Sequence, residues 1–542
     1  MAEKIILVNG CFFTPTSDSE DDPRFCDCMV IEDSKIIHVG KESDGAVHSA
    51  WQKGAEIINL EDRVVVPGFI DSHVHLFDFG LSLQKLDIST CESLEQIRQA
   101  VSTYAKLHPE LPRLLCRGWR QHTTDGLALA SMLDDIDPRP TFIEALDCHS
   151  SWCNTAALNE LPIDKIKKAC GDNVTCDSNG KPTGLLAEIA QFGFVMPHIA
   201  TTYPSEAKHT AVKKGLEAYT KAGYTGVIDM AMDANSWAAF ELYRDTYGLP
   251  MHISAHWFIH YEEDEKLLLQ HVDEAIAMHN KYHPSKSPDL CVLGVKLICD
   301  GVIDGCTAAL SHPYSEGEKL VDPIWPKHAI ELVVKKAIDA GLQCAIHAIG
   351  DVTITHAIDA IANAKSPNGR HRIEHLELAS EEDAKRLGQL GITASIQPVH
   401  SDPVISGAFP KHLQEYLQKR IFPYREFLDG GANVAIGTDA PTARHYALPN
   451  LYNATTRKSA LEPSLPVSPN AHNVLTLSQA VTAATYGAAY SRFAETWTGS
   501  LKRGLRADFV VLDTAWTLES LLEAKVYQTW AGGNKLYQAN YK

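Results

Sequence analysis

The sequence predicts a parallel (β/α)8 barrel of the TIM type, on two observations. Several apolar, strand-like runs end on polar residues of the kind that bind metals. Residues 67–71 lead into His73-Val74-His75, 343–346 stop on His347, 372–374 on His375, and 433–438 on Asp439. These runs are separated by amphipathic stretches such as 329–340 and 352–362, with apolar residues at three- and four-residue spacing. Alternating strand and helix argues for a parallel sheet. Catalytic residues of such barrels come from the carboxyl ends of several different strands, which is where these polar residues fall.

Taken in chain order, residues 4–66 are rich in short strands and turns, at 5–8, 28–32, 36–39 and 57–60. The C-terminal stretch returns to strand patterning at 509–512, 526–530 and 535–536. Residues 1–66 and 499–542 are therefore expected to form one small β-sandwich domain. Eight barrel strands are expected at 67–71, 225–229, 252–257, 292–297, 343–347, 372–376, 393–397 and 434–438, so that 67–79 plus 216–498 make the barrel. Gly341 follows one amphipathic stretch directly, as a helix-ending glycine does. Residues 80–215 are too long for a βα loop. They are expected to be a large insertion after strand one that builds part of the substrate pocket, with strands at 113–116 and 141–146. No internal repeat or low-complexity segment interrupts this plan.

The bulk numbers narrow the function classes. Of 542 residues, 45% are hydrophobic and 22% charged, as in ordinary soluble domains. A net charge of −19 argues against nucleic acid or an anionic membrane surface as partner. No apolar run approaches the ~20 residues of a membrane span, and residues 1–10 have too short an apolar core for a signal peptide. Thirteen scattered cysteines suit reduced thiols, and hence a cytoplasmic location, better than a disulfide framework. Cys26-Asp27-Cys28 lacks the spacing of a zinc knuckle and reads as strand. The sequons at Asn173 and Asn453 are then incidental.

The candidate ligands follow from residue type and position. His73 and His75 are two apart, so one face of a strand presents both. Alone the triplet is weak, since 25 histidines in this length give roughly one such match by chance; the later strand ends supply the context. Neutral imidazole suits zinc, and a neighbouring carboxylate, Asp71 or Asp439, would fix its tautomer. Lys296 sits alone among apolar strand residues, which is costly unless it is neutralised or paired; Asp300 or Glu188 could pair with it. Asp439 before Ala-Pro also fits a helix N-cap. His252, His256 and His260 belong to a strand running into a loop and are left out, with at most His256 facing the barrel interior. His356 reads as surface or packing. There is no Gly-x-Ser-x-Gly elbow, Walker loop or dinucleotide fingerprint.

Taken together, these segments resemble the amidohydrolase superfamily, and within it the branch of the N-substituted formamide deformylases (amidohydrolase family 3). The similarity runs over nearly the whole chain. It is carried by residues 67–75, 117–119, 147–154, 183–188, 295–301, 346–351, 372–375, 395–400 and 437–441. Cys148 stands where the branch often has Gly, and Thr438 where it often has Ser. The resemblance implies one or two zinc ions. His73 and His75 would hold the more buried ion and His347 and His375 the second, with Lys296 bridging them as a carbamate. Asp439 would contact the first ion and shuttle the proton, and His375 would help hold the oxyanion.

Trp119, His149 and Trp152 in the insertion, and Asp300, Gln397, His400 and Arg444 just past barrel strands, are candidates for substrate contact. For each of the seven, packing or loop structure competes with that role. The leading expectation is a metal-dependent amidohydrolase acting on a non-peptide C–N bond of a small molecule, such as an N-substituted formamide, an N-acyl amine or a cyclic amide. A decarboxylase or other lyase on the same metal site, and a non-catalytic regulatory or binding protein, are the alternatives. A homodimer is entertained as the assembly.

Overall fold

The computed structural model describes residues 4–14, 24–146, 148–315, 317, 319–366 and 368–540. Eight parallel strands form the central sheet: β1 Phe69–Val74, β2 Tyr224–Met232, β3 His252–Phe258, β4 Leu290–Ile298, β5 Gln343–Ala348, β6 Arg372–His375, β7 Thr393–Ile396 and β8 Val434–Ile436. Each pairs with the next in sequence. The barrel expected from the pattern is present, and its strands are apolar because the sheet is buried on both sides.

The barrel closes at its ligand-bearing ends. The Asp439 amide donates to the His73 carbonyl at 2.7 Å, and the His75 amide donates to the Ala440 carbonyl at 3.0 Å. Asp71 reinforces the seam by accepting from the Thr438 amide and hydroxyl and from the Tyr219 hydroxyl. Gly437 makes this approach possible, since a Cβ there would lie 2.5 Å from the His73 backbone nitrogen. Gly437→Ala is expected to cost about 1–3 kcal/mol through overpacking and to part β8 from β1. Chemical denaturation read beside metal content would check both effects.

Two further sheets stand at the chain ends. One joins Lys35–Gly40, Cys28–Glu32, Lys4–Val8 and Glu56–Asn59. The other joins Asn534–Gln538, Lys525–Ala531, Phe509–Asp513, Val64–Pro67, Cys11–Phe13 and Phe25–Cys26. Side-chain alternation divides their strands between two cores. Val65, Phe509 and Val511 pack with Leu7, Phe12 and Ile31, whereas Val64, Val66, Val510 and Leu512 pack into the barrel's core. The apolar run from Val64 to Ile70 is thus two strands of different sheets, separated at Gly68, and the barrel strand expected at 67–71 begins only at Phe69.

The insertion carries a six-stranded sheet of its own, of which the sequence pattern shows only two strands. Ser150–Cys153 and Pro182–Ala187 lack alternation or contain Pro and Gly, so they do not read as strands. The helix Ser205–Lys221 packs on Leu76–Ser82 and leads into β2, so it crosses the expected boundary at 215. Gly341 has φ +81 just beyond the helix Lys327–Asp339, and the Leu342 amide donates to the Ala337 carbonyl, which ends that helix. Among the described residues no helix is long and apolar enough to cross a membrane.

Candidate metal centre

Ligand atoms of His73, His375 and Asp439 lie within 4.8 Å of one another at the carboxyl ends of β1, β6 and β8. His73 Nε2 is 3.2 Å and His75 Nε2 3.1 Å from Asp439 Oδ1. That oxygen is buried, yet makes no well-directed hydrogen bond among the described residues. Lone pairs from three side chains therefore converge without satisfying one another, which is the arrangement a cation completes. His375 and Asp439 reach the cluster through left-handed backbone, φ +74 and +58, which breaks strand alternation where the donors must turn inward. No helix starts at Asp439, so its N-cap reading is not realised; the next helix is Ala447–Thr456.

Electrostatics keep Asp439, His347 and His375 in metal-binding form. Burial raises the Asp439 carboxyl, but the neighbouring His73 and then His75 outweigh it and hold the group well below the ordinary range. Burial, with neighbouring His347, His73 and Lys296, outweighs the opposing Asp439 and leaves His375 well below its ordinary value. His347 is lowered in the same sense by burial and Lys296. Both imidazoles are thus neutral, as ligation requires. Burial lowers His75, but Asp439, Asp229 and Asp78 reverse the shift.

The orienting carboxylate for His73 is Glu374, not Asp71 or Asp439. Glu374 Oε2 accepts from His73 Nδ1 at 2.7 Å, turning Nε2 toward the cluster. Glu374 is clamped by the buried Arg372, whose Nε and Nη2 donate to it while Nη2 also reaches the Ser72 carbonyl and Ser395. Burial alone would raise Glu374, but Arg372 and His73 bring it well below its ordinary value. Sequence reasoning missed this pair. Its signal was there: Arg372 and Glu374 are two charges on one face of a short strand, as costly there as Lys296 is in β4.

Lys296 is 1% exposed, and its Nζ has no hydrogen-bond partner among the described residues. Burial pushes its amine down to about 8, with Glu374 and Asp439 opposing. It pairs with neither Asp300 nor Glu188. Asp300 instead accepts from the Ala309, Ile349 and Gly350 amides, so its expected substrate role gives way to a loop-holding one. Glu188 is engaged by His149 at 3.0 Å and by the Thr307 hydroxyl. The His347 ring is 4.3 Å from that of His375, with Nε2 near the Gly301 carbonyl and 3.5 Å from Asp300.

The other expected substrate contacts separate. Trp119 and Trp152 are buried in the insertion's own core, 5.5 Å apart, and Trp152 donates to the Leu129 carbonyl; both are packing residues. Gln397 is buried with both amide atoms unpartnered among the described residues. His400 Nε2 is 3.6 Å from Asp439 Oδ2. Arg444 is exposed. Of the remaining barrel histidines, His256 bonds the Gln343 amide oxygen and His252 lies against Arg492, so both are buried packing residues.

Known proteins resemble this chain at three levels: family pattern, sequence and fold. A model of the amidohydrolase family matches residues 56–537. The Arabidopsis thaliana protein LONG AFTER FAR-RED 3 is 29% identical over 98% of this chain and 91% of its own length. The N-substituted formamide deformylase of Arthrobacter pascens is 25% identical over 94% of each. Among solved structures, an uncharacterized metal-dependent hydrolase from Pyrococcus horikoshii superposes with a TM-score of 0.76 and 23% identity over 95% of this chain and 98% of its own, a likeness of fold.

Proposed function

This chain belongs to the amidohydrolase family, and on that premise we propose that it is a metal-dependent hydrolase of a non-peptide, amide-type C–N bond in a small molecule. The observation that carries the reading is the convergence of His73, His75, His375 and Asp439, with Lys296 buried nearby and without a hydrogen-bond partner among the described residues. The donor set fits zinc. His73, His75 and Asp439 would hold one ion and His347 and His375 a second, with Lys296 between them as a carbamate. Bound there, such ions lower the pKa of water toward ~7 and polarise a carbonyl.

The chain's own residues supply the rest. Asp439, kept ionised by His73 and His75, accepts the proton of the attacking water at a carboxylate oxygen. It returns that proton to the departing nitrogen, which is a poor leaving group until protonated. Glu374 holds His73 in one tautomer. Gln397, with donor and acceptor both free among the described residues, is suited to read the substrate's amide. The deformylase among the relatives makes an N-substituted formamide the first substrate to try.

A neutral Lys296 amine attacks carbon dioxide, forming an N–C bond and releasing one proton to solvent. The lowered amine pKa favours this. The folded state binds fewer protons than the unfolded one between about 8 and the ordinary 10.5. Burial of Lys296 therefore destabilises the metal-free chain as pH falls through that window, fully so below it. Lys296→Met is expected to stabilise metal-free protein at pH 7 by on the order of 3 kcal/mol, and to abolish the carbamate resonance that 13C-bicarbonate gives in the parent. An unchanged resonance would remove Lys296 from the site.

Elemental analysis of protein purified without chelator, with an amide and lactam panel, tests the whole reading. About two zinc per chain and turnover of a panel member support it. About one zinc makes Lys296 structural. No zinc after reconstitution and no turnover would overturn it.

A further inference from the structure

We propose that His375, Glu377 and His400 form a further position for a zinc-like divalent cation, one that shares His375 with the cluster already described. Their ligand atoms lie within 4.8 Å of one another. The His375 and His400 rings are stacked 5.8 Å apart at 8°, and His400 Nδ1 is 3.7 Å from Glu377 Oε1. His375 Nδ1 is buried without a hydrogen-bond partner among the described residues.

The backbone explains how these donors meet. His375 and Leu376 are consecutive left-handed residues, φ +74 and +55, so the chain turns sharply after β6 and carries Glu377 back beside His375. The Phe422 amide donates to the Glu377 carbonyl at 2.7 Å and pins the turn. His400 comes from the short 3-10 turn Pro398–Ser401 after β7. Glu377 and His375 are buried, while the His400 side chain is 17% exposed and leaves the position open to solvent on one side. Two imidazoles and one carboxylate, with room for a fourth ligand, make a donor set that suits zinc.

His375 also belongs to the cluster with His73 and Asp439. A neutral imidazole has a single lone pair to give. A cation held by His375, Glu377 and His400 therefore withdraws that imidazole from the other centre, and excess zinc acts as an inhibitor. This inhibitory consequence rests on the catalytic reading; the cation position does not.

The test is a zinc titration of the chelator-stripped full chain, by calorimetry and by metal content after dialysis at set free zinc. Parent protein, Glu377→Gln and His400→Gln would be compared, each checked for folding by circular dichroism. The expected result is one weaker equivalent in the parent whose affinity falls at least ~10-fold in both variants, with the tighter equivalents kept. If either folded variant titrates like the parent, the position is refuted. A parent that lacks tight equivalents but shows the Glu377- and His400-dependent one would keep this position and refute the catalytic reading.

Discussion

Asp439→Asn is expected to lower turnover by about 10²–10⁴-fold while leaving the fold and most of the bound metal in place. The amide preserves size and one oxygen donor, and the backbone bond from the Asp439 amide to the His73 carbonyl is untouched. What is lost is a carboxylate that His73 and His75 keep ionised, and with it the group that takes a proton from water and hands it to nitrogen. The measurement is kcat on whichever amide the parent hydrolyses, beside metal content on the same sample. Near-parental kcat would show that another group moves the proton.

Glu374→Ala is expected to destabilise the chain by about 3–5 kcal/mol, the cost of leaving a buried charge without its partner. Arg372 and Glu374 are both fully buried, and the guanidinium has no other carboxylate within salt-bridge distance among the described residues. The same change frees His73 Nδ1, so metal affinity should fall about 10–100-fold. Denaturant midpoints and zinc affinity separate the two effects. The double variant Arg372→Met/Glu374→Leu should recover most of the stability and none of the affinity. Recovery of both would mean that Glu374 does not orient His73.

Much of the site is legible in the sequence. His73, His75, His347, His375 and Asp439 stand where apolar runs stop, and a strand end in a parallel barrel is where such residues become functional. Lys296 is legible for the opposite reason, as a charge inside an apolar run. Arg372 and Glu374 carry that same signal but adjoin His375, so they read as part of its motif. The aromatic residues mislead. An indole in an insertion has the same composition whether it lines a pocket or fills a core, and Trp119 and Trp152 fill a core.

The eight strands and their order, the small β structure at both chain ends and the residue types offered as ligands are all written along the chain. They depend on periodicity and on the cost of burying charge, which are local properties. Other features arise only on folding. Glu374 serves His73 across 301 positions, and β8 closes on β1 so that Asp439 faces both imidazoles. His375 turns inward with Glu377 beside it. Each of these depends on barrel closure or on left-handed residues that break strand alternation, and neither leaves a periodic trace along the chain.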